Sequence, residues 1–267
     1  MMLSEAEVSG ELCEAAKQGK QHIIDTLLSV GAPPGAADYD LRTCLHLAAS
    51  EGNRPIVECL LQHGVDVNFK DRWGNNALRD AIRHGHKEVA ALLHERGATL
   101  MMSEADIAAE LCDAAHEGAL NVVQTLLGVG APPGAADYDL RTCLHLAASE
   151  GNRPIVECLL QHGVDVNFKD RWGGTALRDA VRHGHKDVAT YLYENGARLM
   201  LSEAEVSGEL CEAAKQSDIR VVEALLSVGA SPGAADYDLR TCLHLAASEG
   251  NRPIVECLLQ HGVDVNF

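Results

Sequence analysis

Apolar residues recur along this chain in short stripes at helical spacing, broken at intervals by glycine. In residues 37–69, Leu45, Ala48 and Ala49 form one stripe, and Ile56, Val57, Leu60 and Leu61 form another. Each stripe marks one face of an amphipathic helix. Thr43 stands where it can cap the first helix, and Gly52 where it can end it. Asn53 can cap the second helix, Pro55 fits its first turn, and Gly64 supplies a left-handed stop. Val65-Asp66-Val67-Asn68 leads out into a turn. The pattern predicts helix, turn, helix, loop. Helices of about 8 to 10 residues do not hold together alone in water. They must stack on neighbours that hide their apolar stripes.

The neighbours are copies. Gly31, Gly64, Gly97, Gly130, Gly163, Gly196, Gly229 and Gly262 lie 33 residues apart. They divide the chain into repeats at 4–36, 37–69, 70–102, 103–135, 136–168, 169–201, 202–234 and 235–267, one array over 1–267. A fixed period of this length predicts a solenoid in which each unit packs on the next. The stretch Thr43–Gly52 recurs letter for letter at 142–151 and 241–250. The third and sixth repeats put Arg79 and Arg178 where His46 sits. In the first, fourth and seventh, the helix is predicted to start early, at Ser4, Ser103 and Ser202. Each has an acid three residues on (Glu7, Asp106, Glu205) in a capping-box pattern. These three repeats should lack the projecting turn and show a longer helix. Residues 35–74 and 134–173 are identical, which fits either recent duplication or deliberate assembly.

Composition narrows the function. Hydrophobic residues make up 46% of the chain but aromatics only 4%, which favours closely packed helices. A net charge of −17 argues against a nucleic-acid binder and against an anionic membrane surface. No apolar run approaches the ~20 residues of a membrane span, and the start lacks the regions of a signal peptide. Nine cysteines recur as three per 99 residues with no CxxC pair, so reduced thiols and a cytoplasmic location are expected, with no metal site. Cys59, in an apolar helix, reads as a small core residue. No catalytic motif or phosphate-cradling loop occurs, so no enzyme activity and no cofactor are expected.

The Thr-x-Leu-His-x-Ala-Ala core at 43–49, with Gly52 and Asp66-Val67-Asn68, resembles the ankyrin repeat over essentially the whole chain. The resemblance implies an all-α ankyrin-repeat solenoid of helix-turn-helix units with projecting turns. It also implies a non-enzymatic protein-binding scaffold that uses its concave face and turn tips. His46, His145 and His244 then read as structural histidines that tie adjacent turns. A metal role is the alternative. His86 and His185 read as structural, at the start of the second helix. Some positions depart from the pattern. Cys44, Cys143 and Cys242 replace the usual Pro, and Leu41, Leu140 and Leu239 stand where the turn usually has Gly. A Leu with positive φ costs about 1–2 kcal/mol, so these turns are expected to adopt another geometry. Ser217 replaces an inter-helix Gly and should alter or loosen that turn. Asp38–Thr43 followed by Lys70–Gly74 also resembles a block in ankyrin segments of plant integrin-linked-type kinases and of animal glutaminases. That likeness implies an accessory segment of a larger enzyme as an alternative function.

Mapped by position, the contact surface expected from the resemblance has three parts. The first comprises Tyr39, Asp40, Arg42, Arg72, Trp73 and Asn75 on turns, with Ser50, Glu51, Arg83 and His84 on helices. The second comprises Tyr138, Asp139, Arg141, Arg171, Trp172, Ser149, Glu150, Arg182 and His183. The third comprises Tyr237, Asp238, Arg240, Ser248 and Glu249. Trp, Tyr and Arg commonly anchor protein interfaces. Trp73 either serves in that way or plugs the neighbouring turn. His84 and His86, two apart, are expected to point to different sides. The expected partner is another protein. The last repeat shows Leu-rich helices without a polar cap, and is expected to fray or self-associate.

Overall fold

The computed structural model describes residues 5–236 and 238–266. These form sixteen α-helices and no strand. The first eight are α1 (Glu5–Lys17), α2 (Gln21–Ser29), α3 (Cys44–Ser50), α4 (Arg54–Gln62), α5 (Ala77–Arg83), α6 (Lys87–Glu95), α7 (Glu104–Glu117) and α8 (Leu120–Gly128). The rest are α9 (Cys143–Ser149), α10 (Arg153–Gln161), α11 (Ala176–Arg182), α12 (Lys186–Glu194), α13 (Glu203–Lys215), α14 (Ile219–Ser227), α15 (Cys242–Ser248) and α16 (Arg252–Gln260). No described helix is long and apolar enough to cross a membrane.

The helices fall into two compact units, residues 1–107 with 119–132 and residues 108–118 with 133–267. In the first, α1, α3 and α5 stack in one row, and α2, α4, α6 and α8 in a second. In the other, α9 packs on α11 and α13 on α15, while α10, α12, α14 and α16 form the second row. The apolar stripes meet between the rows. Leu45, Ala48, Ala49, Ile56, Val57 and Leu60 are all at most 2% exposed. Leu61, read as part of the same stripe, stays partly exposed at its edge. Alanines on the first helices let the rows approach closely, and close packing of this kind supplies the dispersion contacts of a core.

The long helices appear where the capping boxes predict them. Ser202 accepts the Glu205 backbone N–H at 3.3 Å while the Glu205 carboxylate accepts the Ser202 N–H at 2.8 Å. Ser103 and Asp106 make the same exchange, so the shorter acid suffices. The corresponding Ser4 box lies outside the described residues. Helices α1, α7 and α13 run 13 or 14 residues, whereas α3, α5, α9, α11 and α15 run 7.

Four local expectations are corrected. Leu41, Leu140 and Leu239 keep the left-handed geometry, with φ of 59°, 57° and 60°, beside 82° and 78° at Gly74 and Gly173. The surrounding bonds dictate it. An antiparallel bridge pairs Ala37 with Thr43, and the Asp38 carboxylate accepts the N–H groups of Asp40 and Arg42, both at 2.9 Å. A local strain of this size persists where several bonds fix the same turn. Ser217 likewise takes φ of 61°, and its turn closes normally as Asp218 caps α14. Asn53 and Asn152 do not cap their own helices. Their side-chain amides instead donate back to the carbonyls of Ala16 (3.3 Å) and Ala115 (2.6 Å), one repeat earlier. Cys59 is only partly buried, with Sγ 3.4 Å from the Asp25 carboxylate.

Ser217→Gly removes left-handed strain of about 1–2 kcal/mol and adds about 0.4–1 kcal/mol of unfolded-chain entropy. The side chain is exposed and nothing is lost with it. The variant is therefore expected to be more stable by about 0.5–1 kcal/mol, read as a higher urea midpoint. An unchanged or lower midpoint contradicts the strain assignment.

Candidate functional site

Each projecting turn is built around one aspartate. Asp71 Oδ1 accepts the backbone N–H groups of Trp73 (2.9 Å) and Asn75 (2.8 Å), an Asx-type closure. Asp170 does the same for Trp172 (2.9 Å) and Gly174 (2.7 Å). Asp236 serves Asp238 and Arg240, and its bond to the Arg240 backbone holds its pKa below the usual carboxylate value. Sequence reading left these aspartates out. Their signal was the invariant Asp two residues before each turn tip.

His46 and His145 each bind one turn to the next, whereas His244 is exposed and bonds only to Thr241 of its own turn among the described residues. His46 Nδ1 accepts the Thr43 backbone N–H at 3.2 Å and lies 2.8 Å from Thr43 Oγ1. With Nδ1 accepting, Nε2 carries the proton and donates to the carbonyl of Asn75 in the next turn, at 3.2 Å. His145 repeats this with Thr142 and the carbonyl of Gly174 (3.4 Å). Both imidazoles are 1% exposed. Burial pushes the His145 pKa below its ordinary 6.5. His86 and His185 donate from Nε2 to the carbonyls of Ser50 and Ser149, both at 2.9 Å, and do not cap the helices that follow them. His84 and His86 were expected to point apart. They flank a loop glycine, and their rings stack at 6.2 Å.

Arg72 joins the tips. Its backbone N–H donates to the Asp40 carbonyl at 2.9 Å, Nη2 donates to the Tyr39 carbonyl at 2.7 Å, and Nη1 pairs with the Asp40 carboxylate at 3.1 Å. The guanidinium lies over the Tyr39 ring, 4.4 Å from its centroid. Arg171, Tyr138 and Asp139 repeat every contact, with the guanidinium 4.2 Å from the ring. The Arg and Asp of each pair thus join turn to turn, and the tyrosine keeps one face in solvent.

The tryptophans are different. Trp73 is 62% exposed and Trp172 is 68% exposed, so neither plugs a neighbouring turn. In the first unit a groove of about 660 Å³ brings Trp73 together with Arg42, Ser50, Glu51, Arg83 and His84. Asn75 is corrected. Although it borders the groove it is 9% exposed, with its N–H and carbonyl both engaged, so it belongs to the turn's interior. The hydroxyls of Ser50, Ser149 and Ser248 donate to carbonyls of their own helices. Glu150 pairs with His116 at 3.0 Å, Arg141 with Asp179 at 3.6 Å, and Arg240 with Asp236 and Asp238. Glu249, Arg182 and His183 are exposed. Tyr237 lies outside the described residues.

The cysteines carry little nucleophilic character. Burial pushes the thiols of Cys13 and Cys112 up to about 11, and those of Cys44 and Cys242 up to about 12. No group of three His, Cys, Asp or Glu among the described residues is placed to hold a metal ion.

Two measurements follow from these placements. Because folding lowers the His145 pKa, the unfolded chain binds the proton more readily. Stability from this group is full above about 6.5 and falls as pH drops below it. His145→Gln is expected to flatten that part of a urea-midpoint profile, and an unaltered slope would refute the assignment. Under native conditions iodoacetamide is expected to alkylate Cys59 first, since the other eight thiols are buried. Peptide mapping that finds Cys44 or Cys143 labelled as fast would contradict this.

The family model described as "Ankyrin repeats (3 copies)" matches residues 12–103, 111–203 and 210–267. No curated protein matches the chain. The matched segments together cover most of the sequence, and the Thr–His cap falls at the same place within each, so this chain belongs to the ankyrin-repeat family.

Proposed function

We propose that this chain is a non-enzymatic protein-binding scaffold that contacts its partner through turn tips and the exposed side of the first helices. Ankyrin repeats are generally protein–protein interaction modules. One observation carries the placement of the surface: both tryptophans of the chain project from turn tips, more than half exposed, beside Arg–Tyr stacks that hold the tips rigid. Rigid aromatic anchors of this kind contribute most of the energy in many interfaces. The contact set is Tyr39, Arg42, Glu51, Trp73, Arg83 and His84 with their counterparts, and residues 1–267 act as one array on an unbroken 33-residue period. Nine free thiols support a cytoplasmic location. Exposed Leu259 and Val265 in the last repeat support a self-association contact there.

Double substitution Trp73→Ala with Trp172→Ala is expected to reduce partner recovery in affinity capture by about tenfold or more, while Arg54→Ala on α4 leaves it unchanged. Equal recovery by all three proteins overturns the placement. A second reading, an accessory segment of a larger enzyme, rests on the Asp38–Thr43 and Lys70–Gly74 block. A natural reading frame limited to residues 1–267 would exclude it.

A further inference from the structure

The groove beside Trp73 has a charge unlike the rest of the molecule. The chain as a whole carries 22 Lys and Arg against 39 Asp and Glu. Lys17, Arg42, Arg79 and Arg83 all line this one groove, against three carboxylates. Two of those three are withdrawn from solvent. Asp71 is 6% exposed and accepts the Trp73 and Asn75 backbone N–H groups and the Asn75 side-chain amide. Asp80, at the start of α5, is half-buried. Glu51 remains as the exposed carboxylate. On the cationic side Arg42 is tied to Asp38 at 3.1 Å, but Lys17 and Arg83 hold no ion pair among the described residues and both are exposed. The groove thus offers two unpaired cations next to an exposed indole. In unit two the matching position to Lys17 is His116, which already pairs with Glu150.

We propose that the groove of the first unit binds an acidic peptide segment, with carboxylates on Lys17 and Arg83 and an apolar side chain against Trp73. This rests on the reading of the turn-tip face as a protein-binding surface. It adds the chemistry of the partner. Charge complementarity carries it: a cationic groove in a chain of net charge −17 selects an acidic ligand, which the remaining surface repels. A basic segment would find favourable charge nearly everywhere else on the chain and little reason to settle here.

The chain has two tryptophans, so Trp172→Phe leaves Trp73 as the sole reporter in the groove. The probes are three blocked peptides of about twelve residues that alternate Leu with Glu, with Gln or with Lys. The Glu peptide is expected to shift Trp73 emission and to bind at least about tenfold more tightly than the Gln peptide, with affinity falling as salt rises. Lys17→Ala with Arg83→Ala is expected to abolish that preference, whereas Lys87→Ala on α6 leaves it intact. Circular dichroism confirms that each variant keeps its helices. Equal binding of the Glu and Gln peptides, or preference for the Lys peptide, overturns the acidic-ligand assignment while leaving the surface as a binding face. If none of the three moves Trp73 emission, the acidic-ligand assignment falls and the reading of that face as a peptide-binding surface falls with it.

Discussion

A seven-residue helix cannot persist alone, and most first helices here have that length. The constraint this sets is mutual burial: each helix pair exists because the next pair covers it. The apolar stripes satisfy it with small residues, so that Ala48 and Ala49 vanish completely from solvent. The polar groups satisfy it differently. Backbone carbonyls left over in one repeat, at Ala16, Ser50 and Asn75, receive donors from the repeat that follows or precedes. A buried carbonyl without such a donor costs about 1–3 kcal/mol. Side chains at the repeat joints therefore have little freedom to do anything else.

That division separates scaffold from surface. His46, Asp71 and Asn53 direct their polar side chains inward to backbone groups, and Asn75 directs its amide to the Asp71 carboxylate. Arg72 is a harder case, because an exposed arginine on a turn resembles an interface residue. Three bonds and a ring contact place it between neighbouring tips instead. What remains free is a short set, with Trp73, Lys17 and Arg83 foremost.

Much of this architecture was legible in the sequence because repetition amplifies it. One helix stripe is weak; the same stripe at eight fixed intervals is not. The Thr43 cap, the Pro55 position and the Ser202 box each follow from local rules that neighbours do not override. The misreadings share a cause. Leu41 and Ser217 were judged by their intrinsic cost, while several bonds on either side fix the turn regardless. Asn53 was judged as a cap because local sequence shows only local partners, and the competing Ala16 carbonyl lies one repeat away. The groove was half visible. Its aromatic and arginine members stood out by type, but Lys17 comes from the preceding repeat, and only folding brings it to Trp73.

The identity of residues 35–74 and 134–173 has a consequence for how the chain reaches this state. Two surfaces with the same atoms have the same affinity for a given neighbour. A third-repeat helix pair therefore meets, in principle, two equally good docking sites within its own chain. Contact energy cannot tell them apart. The choice falls to tether length: the connection 63–76, of 14 residues, closes more readily than the connection 96–142, of 47, by an entropy that grows with the logarithm of the loop. The register of the array is in that sense kept by its short linkers rather than by its interfaces. Lengthening one linker would erode that margin and invite exchange of repeats between molecules, although every contact described above would remain intact.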